Sequence, residues 1–416
     1  MNSGRPGHAP LGQPYVSTGG LPSPELVKSL VSECYERFKS NNDGRNSDVY
    51  PALADVPQDL FGLCVVGVNG SVYASGDWDY PFSIMSVSKP FVFALVCQVL
   101  GGDVARQRLG VNATGLPFNS LAAVERSEDG RTNPMVNSGA IATTSLAPGS
   151  TLDEKWMFIL DGLSRFAGRA LTMNADVFTS ATESNSRNQA IGQLLRSCGQ
   201  LPIETHDAID LYTRQCSLNV TAKDLGVMGA TLADGGVNPL TKQRVIDAES
   251  CKFTLAVMAT AGLYETSGDW LYEVGLPGKS GIGGGIVTVS PGKGGLGTFA
   301  PRLDDAGNSI KGSLPRNTFR SASASACLLR RRKREVRERL SDQALPADSI
   351  ALERTHDDGD SSARASDVHD RDRRVLYGSR SQSPHQAIAS LEYSGGGDRR
   401  PSRSHCDAAR VQGARN

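Results

Sequence analysis

The stretch Phe82-Ser83-Ile84-Met85-Ser86-Val87-Ser88-Lys89-Pro90-Phe91 decides how this chain is read. It runs into what reads as the start of a helix and spaces a serine and a lysine three residues apart. Residues i and i+3 share a helix face, so the Ser86 hydroxyl and the Lys89 amine are expected to meet. A serine hydroxyl is a weak nucleophile until a base removes its proton. Lysine can be that base when burial or a neighbouring cation lowers its pKa from the free value of about 10.4. The pair predicts a nucleophile that needs no histidine.

Histidine usage agrees. Only His8 and His206 precede residue 313. His8 lies in a leader, 1–22, whose Gly, Pro and Ser content predicts disorder. His206 is then the sole candidate for a Ser-His-Asp arrangement, and it reads as a helix-surface residue.

Working outward, Ser23 caps a helix that opens on Pro24, with Leu26, Leu30 and Cys34 along one face. The apolar, β-branched segment 61–68 and the turn Asn69-Gly70 predict a type I′ hairpin whose return strand begins at 71–74. The Ser86 helix runs to about Leu100 and stops at Gly101-Gly102. From about 108 to 265 the pattern is mainly helical, with helices expected at 152–167, 187–197, 205–216, 221–233 and 247–261. Thr221-Ala222-Lys223-Asp224 is a capping-box variant. Two strands, 285–289 and 296–300, follow a glycine-rich turn. Strands at both ends and helices between imply an α/β (α+β) domain over 23–312, an antiparallel sheet flanked by helices with a helical subdomain at about 108–265.

Past Gly312 the composition changes. The tail 313–416 is dense in Arg, Ser, Asp and Ala, has Lys333 as its only lysine and holds four of the six histidines. Residues 341–416 are expected to be disordered, and Cys327 to Leu340 to form a short helix. The cluster Arg330-Arg331-Arg332-Lys333-Arg334 reads as solvated rather than as a nucleic-acid patch. We offer, as a hypothesis, that this tail is an out-of-frame reading of a GC-rich gene; an unbroken frame on resequencing the junction would overturn it.

The 416 residues, 39% of them hydrophobic, suffice for a core. Zero formal net charge gives no electrostatic reason to expect nucleic acid or an anionic membrane as partner. The sequence lacks a transmembrane-length apolar run, and its N-terminus lacks a signal-peptide core, so a cytoplasmic address is expected. The eight cysteines are scattered, without metal-ligand spacing, and read mostly as small buried hydrophobes in a reducing compartment.

Ser-x-x-Lys alone is a weak signal. A second element, Lys279-Ser280-Gly281, stands before a strand, the placement of Lys-Thr/Ser-Gly beside Ser-x-x-Lys in penicillin-recognising enzymes. Further motifs extend the pattern: Asn133-Pro134-Met135-Val136-Asn137-Ser138-Gly139-Ala140-Ile141, Arg187-Asn188, Tyr212-Thr213-Arg214-Gln215-Cys216-Ser217, Gly262-Leu263-Tyr264, and Gly275 through Ile286. The run Asp304 to Gly312 carries a Gly-Asn-Ser motif. With these motifs, over roughly 25–312, the chain resembles the serine-dependent glutaminases, amidases built on the β-lactamase/transpeptidase fold.

That resemblance implies an amidohydrolase acting on L-glutamine without metal or organic cofactor, usually as a homodimer or homotetramer. By resemblance, Ser86 attacks the carboxamide, Lys89 accepts its proton and Tyr212 relays a proton to the leaving amine. Backbone N–H groups of Ser86 and Ile282 would receive the oxyanion. Asn137, Asn188 and Tyr264 match positions that hold the substrate's α-amino and α-carboxylate groups. Two departures stand out. Ala181 occupies the place of a substrate-binding glutamate, with Glu183 two residues later, and Val49 occupies a tyrosine position, with Tyr50 one residue late. The fold would equally serve a β-lactamase or D,D-peptidase, although no convincing Ser-x-Asn element is present. Ala181 also raises the alternative of a catalytically weak glutamine-binding protein.

Overall fold

Seven strands occur among the described residues: β1 (Gly62–Gly67), β2 (Val72–Gly76), β3 (Phe82–Ser83), β4 (Asn219–Val220), β5 (Gly278–Ser280), β6 (Gly285–Ser290) and β7 (Gly294–Phe299). This computed structural model describes residues 23–315. The expectations for the leader 1–22 and for the tail from 316 onward, its short helix included, lie outside them. Five strands form one antiparallel sheet in the order β2-β1-β7-β6-β5. The N-terminal hairpin thus joins the C-terminal strands through β1 and β7, which pair from Gly62 opposite Phe299 to Gly67 opposite Gly294. β3 and β4 form a separate two-stranded ribbon that the sequence reading did not foresee.

Alternating side chains send β1 to two cores. Leu63, with Phe61 and Ala300, packs under the helix Pro24–Phe38; Cys64 and Val66 face the main core. Ser23 caps the Pro24–Phe38 helix as expected, its side chain accepting from the Leu26 N–H at 3.3 Å. The inner face differs from expectation. Val27, Val31 and Cys34 turn toward the sheet, whereas Leu26 is 42% exposed. The stripe that meets Phe61 and Leu63 is rotated by one residue from the leucines.

On the other face lies the helix Ala222–Ala233, capped by the Thr221–Asp224 box. Its backbone sits directly on β7. A Cβ on Gly297 would stand 2.0 Å from the Ala222 carbonyl oxygen, and one on Gly295 would stand 2.4 Å from that of Gly226. Only glycine permits this approach.

The β1–β2 hairpin forms, but its turn is not type I′. That turn needs two residues with positive φ, and here only Gly70 has one, at 88°. The Gly70 N–H donates to the Gly67 carbonyl at 2.9 Å, giving a type I turn closed by a glycine bulge.

Helices Leu152–Ala167 and Thr205–Cys216 fall where the periodicity puts them, and Ser186–Ser197 and Ala248–Ala261 within a residue of it. Asn137–Ser145 and Ala175–Glu183 were not expected. Every residue of Asn137–Ser145 is buried, so it has no polar face to give a period. No helix among the described residues is long and apolar enough to cross a membrane.

Candidate active site

Ser86 sits in a single 3-10 turn, Met85–Val87, that feeds the helix Ser88–Leu100. Met85 has φ 46°, a left-handed conformation that costs a non-glycine residue about 1–3 kcal/mol and persists only where packing enforces it. The enforcing contacts are visible. Ile84 N–H donates to the Leu218 carbonyl at 2.9 Å, Ser88 Oγ donates to the Met85 carbonyl at 2.7 Å, and Gln215 Nε2 donates to Ser88 Oγ at 3.2 Å.

The loop between β5 and β6 presses on this turn. A Cβ on Gly281 would lie 3.2 Å from the Ser86 nitrogen, and one on Gly283 would lie 2.4 Å from the Ser83 carbonyl oxygen. Ile282 is therefore carried beside Ser86. Neither the Ser86 nor the Ile282 backbone N–H donates to an acceptor among the described residues, so both remain open to a developing negative charge.

Lys89 is 1% exposed, and among the described residues no carboxylate pairs with it. Its Nζ donates to Asn137 Oδ1 at 2.7 Å and to the Met135 carbonyl at 3.4 Å. Burial lowers its pKa to about 7, against a smaller opposing pull from Cys216. The expected meeting with Ser86 is not seen as a hydrogen bond. The Ser86 hydroxyl lies near enough to Tyr264 to temper the rise that burial imposes on that tyrosine's pKa. The reason is local: Ser86 lies in the tight turn ahead of the α-helix that carries Lys89, and Asn137 holds the amine.

Tyr212, 4% exposed, projects from Thr205–Cys216 and donates its hydroxyl to the same Asn137 Oδ1 at 3.1 Å. Burial pushes its pKa well above the usual 10, so it stays a proton donor at neutral pH. Asn137 Nδ2 in turn donates to Asn188 Oδ1 at 2.9 Å. Tyr264, with φ 54°, donates to the Ser280 carbonyl at 3.3 Å and packs on Phe118, ring centroids 4.5 Å apart. Lys279 Nζ lies 4.3 Å from the Tyr264 ring centroid and donates to the carbonyls of Gly262 and Ser280 at 2.8 and 2.7 Å. Burial, and then the charge of Lys89, hold its pKa well below the ordinary lysine value.

The structure thus brings Ser86, Lys89, Tyr212, Asn137, Asn188, Tyr264 and Ile282 to one place. The two departures resolve differently. Val49 is 49% exposed while Tyr50 is 8% exposed and lies near Asn188, so the tyrosine one residue late is the one turned inward. Ala181 is 2% exposed, and Glu183, at the far end of its helix, points into solvent and does not reach in. Phe118 was missed altogether. Its aromatic side chain in a polar loop was the available signal, and its carbonyl accepts the Asn137 N–H at 2.8 Å.

Comparison with known proteins gives this geometry a lineage. "Glutaminase 2" of Yersinia pestis is 68% identical over 300 residues, 72% of this chain and 88% of that one. A glutaminase of Colwellia psychrerythraea is 46% identical over 290 residues, 70% and 93% of the two chains. Among solved structures, "Probable glutaminase ybaS" superposes with a TM-score of 0.71 at 42% identity, covering 72% of this chain and 97% of that one. Mglu in its glutamate form superposes with a TM-score of 0.66 at 33% identity, over 72% and 68%. The sequence model of the family described as Glutaminase matches residues 44–323. On that match, and on relatives of this identity, the chain belongs to the glutaminase family.

Proposed function

We propose that this chain is an amidohydrolase that converts L-glutamine and water to L-glutamate and ammonia through a serine acyl-enzyme. The observation that carries the reading is the buried Lys89 amine, its pKa lowered to about 7, held by Asn137 in the pocket of Ser86. Ser86 Oγ attacks the carboxamide carbon while Lys89 takes the hydroxyl proton. The N–H groups of Ser86 and Ile282 receive the oxyanion. Tyr212 passes a proton to the departing ammonia, and water then cleaves the ester to release glutamate. Splitting one amide hydrolysis into two steps lowers each barrier. Asn137, Asn188 and Tyr264 are assigned to the amino-acid end of the substrate, since amide side chains offer both a donor and an acceptor.

The catalytic unit is taken as 23–312. A cytoplasmic enzyme, dimeric or tetrameric, fits the same reading; the six described cysteines form no disulfide with one another, and five of them are buried. The test is ammonia release from glutamine and asparagine by the native chain and by Ser86→Ala. The variant is expected to be inactive, and full activity in it defeats the mechanism. Ala181 favours one rival, a glutamine-binding protein, which wins if the purified chain binds glutamine yet releases no ammonia. Faster turnover of nitrocefin than of glutamine would point to a β-lactamase-like enzyme.

A further inference from the structure

Beyond Asn188 the hydrogen-bonded chain continues through residues that the reaction does not touch. Asn188 Nδ2 donates to Asn185 Oδ1 at 2.7 Å. Asn185 Nδ2 donates to Thr213 Oγ1 at 3.0 Å, and Thr213 Oγ1 donates to the Ile209 carbonyl at 2.8 Å. Asn185 and Thr213 are 5% and 4% exposed. Asn185 stands between the helices Ala175–Glu183 and Ser186–Ser197, and Thr213 lies one residue beyond Tyr212.

Every bond in this run points the same way. The Ile209 carbonyl can only accept, so Thr213 must spend its single proton there and offers Asn185 a lone pair. Asn185 must then turn its NH2 toward Thr213 and its oxygen toward Asn188. The same constraint passes to Asn188 and then to Asn137, whose oxygen is left facing Lys89 and Tyr212. An amide's two ends have nearly the same shape, so packing alone does not choose between them. A chain anchored on a main-chain carbonyl does.

We propose that Asn185 and Thr213 are positioning residues that set the direction of the asparagine relay and so present a carbonyl oxygen, not an NH2, to the catalytic lysine. This rests on the reading of Lys89 as the base. Were Asn137 reversed, its NH2 would donate to the lone pair of the neutral amine. That lone pair is the one needed to take the Ser86 proton. The amine would be blocked, and its neutral form favoured.

The test is the pH dependence of kcat/KM for ammonia release from glutamine by Thr213→Val, Thr213→Ser and Asn185→Leu. Valine matches threonine in shape and removes the anchor, whereas serine keeps the hydroxyl. Thr213→Val is expected to lose at least about tenfold in kcat/KM, with the acid limb of the profile displaced to lower pH, while Thr213→Ser stays within about twofold of the native enzyme. A merely structural lesion lowers the amplitude and leaves the limb in place. Thr213→Val with the native limb and near-native kcat/KM overturns the proposal, and Asn185→Leu decides in the same way should the valine variant not fold. Ser86→Ala run alongside separates the cases: if it is active, the underlying site reading fails; if it is dead while Thr213→Val is native-like, only the relay fails.

Discussion

Asn137→Asp puts a carboxylate where an amide oxygen now accepts from Lys89 at 2.7 Å. The substitution barely changes shape but supplies the buried amine with an anionic partner. At that separation and an effective dielectric of about 20, Coulomb's law allows on the order of 6 kcal/mol. Opposite charges in proteins shift a pKa by about 1–3 units, because the burial that strengthens attraction also favours the neutral acid. From a native value of about 7, Lys89 is then expected to titrate about one to three units higher. The sign follows from its role. A base works when unprotonated, so below its pKa the activity falls. The native acid limb of kcat/KM is expected near pH 7, following the lysine's lowered pKa of about 7. In Asn137→Asp the limb moves upward, activity at pH 7 drops about five- to five-hundredfold, and much of it returns in alkaline buffer.

A stopped ammonia assay from pH 5.5 to about 10, with KM and kcat resolved at each step, reads this directly. Asn137 is also assigned to the substrate, so part of the loss should appear as a raised KM that alkali does not restore. A limb that stays at the native pH, or moves downward, refutes the assignment of Lys89 as the base.

Three further outcomes follow from the same geometry. Lys89→Met is expected to abolish turnover yet stabilise the fold at pH 7. With a folded pKa of about 7 against an ordinary 10.5, the unfolded chain binds more protons between those values, so native stability rises with pH across that window. Removing the amine at neutral pH relieves up to about 4 kcal/mol of this burial cost, read as a raised urea midpoint and a flattened pH dependence; an unchanged midpoint counts against a buried neutral lysine. Ala181→Glu should tighten glutamine binding by about thirtyfold or more through a charge-assisted contact with the ammonium, while lowering Tm without substrate because the site is only 2% exposed. A KM equal to the native value sinks it. Gly297→Ala must displace the Ala222 carbonyl from a 2.0 Å approach and is expected to cost about 1–3 kcal/mol, whereas Gly268→Ala, with nothing within 4 Å of the new methyl, should be neutral or slightly stabilising. Equal melting temperatures for the two would contradict the account of helix-on-sheet contact.

What the sequence made legible were features whose cause is local. Ser23 and the Thr221–Asp224 box announce helix starts because each satisfies its own orphaned N–H groups. The paired hairpins follow from alternating apolar residues broken by glycine. Ser86 and Lys89 stand out because both belong to one short run. What stayed hidden has its cause elsewhere in the chain. Asn137, Asn185 and Asn188 each look like a cap or a turn residue, and only the fold shows that they touch in series. Which end of each amide faces which neighbour is decided by the Ile209 carbonyl, 72 residues downstream of the Asn137 it orients. The spacing of Ser86 and Lys89 carries less geometry than it suggests: it fixes the face of a regular helix, whereas Ser86 precedes the first α-helical turn, directly after a Met85 of positive φ. On the proposed mechanism the chemistry is written locally in Ser86 and Lys89 and non-locally in the amide run that aims them, so damage to the second should reshape the pH profile without touching a reacting atom.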